Sequence, residues 1–176
     1  NDGATIVAGN DATLNMDSDV NMTDGSSITA TENVTLNDTD NLTMSDTSAI
    51  NATNNDITLD VSDSLLMNDN SKIDAGQNVD AQNQTDITMN DNSEIEAGNN
   101  IDLEASDFMT MNNNSKVDGT TTVNVTVGNA LTMNNNAAID PVDVNLDLGS
   151  LDMNNASSVT ASNDITVELN GGDADM

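Results

Sequence analysis

Apolar side chains return along this chain at a nearly constant interval of about 22 residues. One set consists of Ile6, Ile28, Ile50, Ile73, Ile95, Val117, Ile139 and Val159, and a second consists of Met22, Met44, Met67, Met89, Met111, Met133 and Met153. A period between about 20 and 50 residues is typical of solenoids, propellers and repeat arrays. The pattern therefore predicts about eight similar units along the chain.

Within one unit, the order of apolar and polar positions predicts three short β-strands separated by turns. Residues 87–89 alternate apolar, polar and apolar, which is the pattern of a half-buried strand. The turn formers of residues 90–93 follow, and residues 95–97 alternate again. Residues 98–100 form a second turn, and residues 101–103 supply the third strand.

Strands this short need neighbours, and stacking one coil on the next pairs equivalent strands in parallel at about 4.8 Å per coil. We therefore predict an all-β fold, a single-stack parallel β-helix (β-solenoid) that includes residues 1–176 as one continuous domain. The β-branched residues and the lack of an apolar stripe at helical spacing oppose a helical repeat. Pro141 falls where other coils have a small residue, and we expect a local distortion there because proline removes a ladder donor.

The composition narrows the functions that such a fold could have. The chain carries 31 Asp and Glu against 2 Lys and Arg, for a formal charge of -29, and it has no Cys, His, Trp or Tyr. An acidic surface repels nucleic acid and anionic lipid, and no apolar run has the length of a membrane span. Without a nucleophile and base pair or an aromatic platform for sugars, we predict that the protein is not an enzyme.

Stacking also predicts columns of equivalent side chains. The Met column and the column of Ile28, Ile50, Ile73, Ile95, Val117 and Ile139 are expected to fill the interior. Lys72, Glu94 and Lys116 share one phase of the repeat and would alternate in charge along one face. Opposite charges on neighbouring strands stabilise their pairing, so this column is a marker of register rather than a catalytic site.

The turn after each Met is rich in Asn and Asp, and two roles are open for it. Stacked Asn side chains hydrogen-bond along a ladder, and Asn tolerates the left-handed backbone of tight corners. Alternatively Asp24, Asp46, Asp69 and Asp91, which fall in one column, could bind calcium, since a cation would relieve the repulsion between like charges. No cofactor is predicted apart from this calcium alternative, and no catalytic residue is predicted.

The chain begins at Asn1 rather than Met, and both ends fall at the same phase of the repeat. We expect a segment of a longer repeat protein or filament. Its coils would continue into adjacent repeats or stack end to end on copies of itself, and such a head-to-tail contact generates an open filament.

Residues 87–103 and the unit Leu-Thr-Met-Asn-Asn-Asn-Ala-Ala-Ile of residues 131–139 resemble the repeats of filamentous-haemagglutinin-type exoproteins. The resemblance implies a right-handed β-helix and a secreted protein at the cell surface, and it brings no catalytic residue. The leading hypothesis is a structural rod, part of an extracellular filament or of an adhesin stalk that contacts other cells or surfaces. The alternative is an acidic β-solenoid module whose surface binds calcium or a receptor.

Overall fold

The computed structural model describes residues 3–176, and these residues form strands and turns without a helix. In chain order the strands are β1 Thr5–Ala8, β2 Ala12–Met22, β3 Ser27–Ala30, β4 Val34–Met44, β5 Ala49–Ala52, β6 Ile57–Met67, β7 Lys72–Ala75, β8 Val79–Met89, β9 Glu94–Ala97, β10 Ile101–Met111, β11 Lys116–Gly119, β12 Thr122–Met133, β13 Ala138–Ile139, β14 Asp143–Met153, β15 Ser158–Val159, β16 Ile165–Leu169 and β17 Ala174–Asp175.

Short and long strands alternate along the chain and separate into two parallel sheets. The short-strand sheet has the order β1-β3-β5-β7-β9-β11-β13-β15, and the long-strand sheet has the order β2-β4-β6-β8-β10-β12-β14-β16, with β17 beside β14. Each strand pairs with the equivalent strand of the next coil, so that Ile50 lies opposite Ile73 and Met44 lies opposite Met67. The predicted β-solenoid of about eight coils of about 22 residues is confirmed.

Two of the three strand segments predicted for each coil are joined into one long strand. The strand β6 includes both predicted segments, residues 57–59 and 65–67. The corner between such segments survives as an irregularity: the pairing of β4 with β6 shifts register on both sides of Thr39, and Asp38 has a φ of 54°. Because every coil turns at the same place, corner residues such as Thr39 and Val61 still pair between coils, and the strand continues through the corner.

The interior consists of columns of apolar side chains. Ile28, Ile50, Ile73, Ile95, Val117 and Ile139 are buried, as are Met22, Met44, Met67, Met89, Met111 and Met133. Met153 is only partly buried, and Ile6 at the other end is 47% exposed. The difference is one of position, because an end coil is covered by a neighbour on one side only.

The coil that contains Pro141 is shorter and less regular than its neighbours. Its short strand, β13, ends at Ile139 and has 2 residues, whereas the preceding short strands have 4. The pyrrolidine ring supplies no N–H to the ladder, so pairing stops before it. This is the local distortion expected from the sequence.

Gly128 marks a place where two coils approach closely at a corner. A Cβ added to Gly128 would meet the backbone carbonyl oxygen of Ser106 at less than any real contact distance. Only a residue without a side chain fits there.

Candidate functional site

The turns that follow the Met column share one backbone geometry. Asp69 and Asn70 have φ values of 51° and 62°, and the N–H of Ser71 donates to the carbonyl of Asn68 over 3.1 Å. Two successive left-handed residues closed by this hydrogen bond form a type I′ turn, which Asn, Asp and Gly adopt most readily. The repeated Asn and Asp are therefore required first by the backbone.

In the turns from Asn68 to Asn154, the first Asn belongs to a ladder of side-chain amides. Nδ2 of Asn90 donates to Oδ1 of Asn68 over 2.8 Å, and the same bond joins Asn112 to Asn90, Asn134 to Asn112 and Asn154 to Asn134 over 2.8, 2.9 and 3.1 Å. Every amide donates towards the preceding coil. The ladder therefore has a direction along the rod, with donors facing one end and acceptors facing the other.

A second ladder runs beside it and ends on a carboxylate. Nδ2 of Asn155 donates to Asn135, Nδ2 of Asn135 donates to Asn113, and Nδ2 of Asn113 donates to Oδ1 of Asp91, over 3.1, 2.9 and 2.8 Å. In the coils before Asp91, the same turn position is occupied by Asp69 and the other calcium candidates. The second ladder thus passes from amides to acids.

The four calcium candidates Asp24, Asp46, Asp69 and Asp91 lie in one column, one per coil. Backbone hydrogen bonds between successive turns fix this arrangement, since the N–H groups of Gly25, Thr47 and Asn70 donate to the carbonyls of Asp46, Asp69 and Asp91 over 2.8, 2.9 and 2.9 Å. Within residues 3–176, no three His, Cys, Asp or Glu side chains cluster closely enough to hold a metal ion. Calcium binding stays a prediction, for which the column supplies one carboxylate per coil.

The outer face of the short-strand sheet carries both cations. Lys72, Glu94 and Lys116 are register partners on β7, β9 and β11, in the expected order of charge. Nζ of Lys72 lies 3.5 Å from Oε2 of Glu94, but 2.5 Å from Oε2 of Glu96 and 3.3 Å from Oδ2 of Asp74. The closest contacts are therefore made to an adjacent acidic column.

That acidic column consists of Asp74, Glu96 and Asp118, two residues after the predicted one. Nζ of Lys116 contacts Oδ2 of Asp118 at 2.5 Å. This column was not predicted from the sequence, because only the residues in phase with the two lysines were considered. The spacing of Asp74, Glu96 and Asp118 in the repeat would have revealed it.

These contacts raise the pKa of both lysines. Partial burial lowers the pKa of Lys72, but the hydrogen bond to Glu96 and the charges of Asp74 and Glu94 outweigh it, and the pKa lies above its ordinary value. The hydrogen bond to Asp118 raises the pKa of Lys116, and burial offsets it only in part. Both ammonium groups consequently stay charged well into the alkaline range.

A pair of like charges faces outward on the long-strand sheet. Asp80 and Asp102 are register partners on β8 and β10. Burial raises the pKa of Asp80, a hydrogen bond with Gln82 lowers it, and the charges of Asp102 and Asp56 raise it further. Oδ1 of Asp80 is buried and has no hydrogen-bond partner. This is a strained point of the surface, because a like charge lies beside an unpaired carboxylate oxygen.

The two end coils leave apolar surface uncovered. At the first coils a cavity of about 270 Å³ is lined by Leu14, Met16, Val20, Met22 and Ile28 among others. At the opposite end Ile165 and Val167 on β16 are 49% and 45% exposed. Both surfaces present the side-chain columns that a further coil would cover.

Comparison with family models, curated proteins and solved structures found no match. Residues 3–176 contain no helix long and apolar enough to cross a membrane.

Proposed function

We propose that the protein is a structural rod, a stretch of an extracellular filament or adhesin stalk that works through the stacking of its coils. The observation that carries the proposal is the pairing of equivalent residues in successive coils along both sheets, from β1 and β2 to β15 and β16. A one-dimensional stack of similar units gives reach and stiffness, and it does so without a reactive site.

Stiffness follows from the bonds that join each coil to the next. Two parallel ladders and the amide ladders of the turns cross every interface between central coils, and all of them shorten or lengthen when the rod bends. The buried Ile and Met columns add a continuous apolar interior. On a spacing of about 4.8 Å per coil, eight coils reach about 38 Å.

Partners at the ends would be further coils, supplied by adjacent repeats or by a second copy of the chain. The cavity at the first coils and the exposed Ile165 and Val167 favour this, since a coil stacked on either surface removes apolar area from water. Contact between one end and the opposite end of a copy is heterologous and extends without closing. The formal charge of -29 opposes contact side by side.

An extracellular location rests on the resemblance of residues 87–103 and 131–139 to filamentous-haemagglutinin-type repeats. Antibody labelling of intact and permeabilised producing cells tests it. Labelling of intact cells is expected, whereas labelling only after permeabilisation would place the protein inside.

Cryo-electron microscopy of the native material tests the rod itself. The expected image is a rod or fibre of constant cross-section with axial layers spaced about 4.8 Å apart. Compact particles without this layering would contradict the rod. Fibres that lengthen with protein concentration would indicate non-covalent stacking, and a chain mass well above 18.3 kDa under denaturing conditions would indicate covalent continuity.

The acidic column of Asp24, Asp46, Asp69 and Asp91 favours a second candidate function, calcium binding. Thermal unfolding in calcium, in magnesium and in chelator at equal ionic strength tests it. Binding to the folded state raises the Tm with ligand concentration. The double variant Asp69→Asn, Asp91→Asn should then lose the increase in Tm with calcium. Equal Tm values of the parent protein in the three solutions would contradict calcium binding and favour a rod that binds no cation.

A further inference from the structure

A column of serine hydroxyl groups runs inside the solenoid, directly after the turns. Ser48, Ser71, Ser93 and Ser115 are fully buried and Ser26 is 7% exposed. Among residues 3–176, the Oγ atoms of these five serines have no hydrogen-bond partner. In each coil the serine follows the buried Met by four residues, and it plays no part in the rod as proposed above.

Backbone bonds show that the five serines stack directly on one another. The N–H groups of Ala49, Lys72, Glu94, Lys116 and Ala138 each donate to the carbonyl of the serine one coil earlier, over 2.9 to 3.0 Å. The serine N–H groups are also committed, because each closes its own turn at 3.0 or 3.1 Å. Only the hydroxyl groups are left without a partner.

The hydroxyl groups of this column need hydrogen-bond partners, and they cannot be partners for one another. A buried hydroxyl without a partner is destabilising, and five in succession would cost a large share of the folding free energy of a domain this size. Successive hydroxyls are not within hydrogen-bond distance of each other. The coil spacing of about 4.8 Å keeps them apart, whereas a hydroxyl bond needs about 2.8 Å.

We propose that the serine column binds a single file of water molecules, one between each two successive hydroxyl groups. A water oxygen about 2.8 Å from two hydroxyls that lie about 4.8 Å apart makes an angle of about 120° between them, which suits water. Each serine then donates to one water and accepts from the other, which uses the hydrogen-bonding capacity of a hydroxyl. Five stacked serines provide four such positions.

The chain itself interrupts the column once. Ala137 is fully buried at the equivalent position, between Ser115 and Ser157. Oγ of Ser157 is also buried and without a partner. Ala137 therefore ends the file at Ser115, and the substitution Ala137→Ser would continue it to Ser157.

Two reciprocal substitutions in the full chain test the proposal by the sign of the change in Tm. Ser93→Ala removes the shared partner of two waters and is expected to lower the Tm by about 2–6 °C. Ala137→Ser adds a partner at the end of the file and is expected to leave the Tm unchanged or raise it. The exposed Ser106→Ala is the matched control and should change the Tm by less than about 2 °C.

A dry column predicts the opposite signs. Ser93→Ala would then remove an unpaired hydroxyl and raise the Tm, and Ala137→Ser would bury another one and lower it. Either result overturns the proposal.

Direct observation completes the test. A structure that shows ordered water should contain a peak about 2.8 Å from both hydroxyls and off the line that joins them. A peak midway on that line, about 2.4 Å from each, would be a bound metal ion and would overturn the proposal. Direct contact between hydroxyl groups, or no peak between them, would do the same.

Discussion

The side-chain amide of Asn113 donates to the carboxylate of Asp91 over 2.8 Å. This bond is the junction at which one column of turn residues changes from amides to acids along the rod. The two residues have nearly the same φ, 52° and 51°, so the backbone does not distinguish between them. The two residues differ in their side chains, because an amide can donate to the neighbouring coil and a carboxylate cannot. The stability of the fold should therefore depend on the order of amides and acids along the column.

Asn113→Asp tests this dependence. The substitution removes the donor to Asp91 and places two carboxylates in register, and it should destabilise the fold by about 1–2 kcal/mol. Thermal unfolding should show a Tm lower by about 2–8 °C, with a smaller difference at high salt because the repulsion is screened. Asp91→Asn is the matched control, since it lengthens the amide ladder and should raise the Tm. Equal effects of the two substitutions would contradict a role for the ladder.

Asp102→Asn should stabilise the protein at neutral pH. In the ladders of this rod each amide donates towards the preceding coil, so the amide introduced at position 102 would reach the unpaired Oδ1 of Asp80. Its carbonyl would still accept from Nδ2 of Asn124, which now bonds to Asp102 at 2.5 Å. We expect a rise in Tm of about 2–4 °C, because a hydrogen bond replaces a repulsion.

The pH dependence of that gain follows from the raised pKa of Asp80. A carboxyl whose pKa is raised on folding lowers stability as pH rises from 3.8 through the folded pKa, since the folded state holds the proton more tightly. The advantage of Asp102→Asn should be complete at neutral pH and should shrink as pH falls through the raised folded pKa of Asp80 towards 3.8. The exposed Asp63→Asn removes the same charge and is the control. A matching gain in that control would assign the effect to net charge alone.

Lys72→Gln should destabilise the protein more than Lys116→Gln. Lys72 contacts three carboxylates, on Asp74, Glu94 and Glu96, whereas Lys116 contacts one, on Asp118. Because these groups are partly exposed, the expected loss is about 1 kcal/mol for Lys72→Gln and less for Lys116→Gln.

The contribution of Lys72 should also depend on alkaline pH. Its pKa is raised by folding, so its stabilisation is complete below the unfolded value of 10.5 and is lost as pH rises through the folded pKa. Denaturant unfolding of both variants at neutral and at alkaline pH measures this. A difference between Lys72→Gln and the parent protein that does not shrink towards alkaline pH would argue against the ion pairs.

Gly128→Ala should be strongly destabilising despite its small change in volume. The added methyl group would collide with the backbone carbonyl of Ser106, which lies within β10, so that only a shift of the backbone could relieve the collision. The expected cost is about 1–3 kcal/mol, or a Tm lower by about 2–12 °C. Gly9→Ala is the control, because open space surrounds its Cβ position. A neutral Gly128→Ala would mean that the coils separate easily at this corner.

The repeat in the sequence determined the fold class, the number of coils and the composition of every column. The reason is that stacking similar units places equivalent residues on one another. Residues one period apart in the sequence are therefore in contact, whereas in other folds the long-range contacts do not follow from the sequence spacing. The pairing of Ile50 with Ile73 and of Lys72 with Glu94 was readable in this way. The distortion at Pro141 followed from the missing N–H of proline.

The tertiary structure alone decided what depends on the path of the backbone and on side-chain rotamers. It joined two predicted strand segments into β6 and its equivalents, because corner residues such as Thr39 and Val61 still pair between coils. It directed the ammonium of Lys72 to Glu96, a choice of rotamer that periodicity does not specify. It also turned Ser93, a turn former in the sequence, into a buried hydroxyl, since whether a residue beside a corner faces inward depends on the turn geometry.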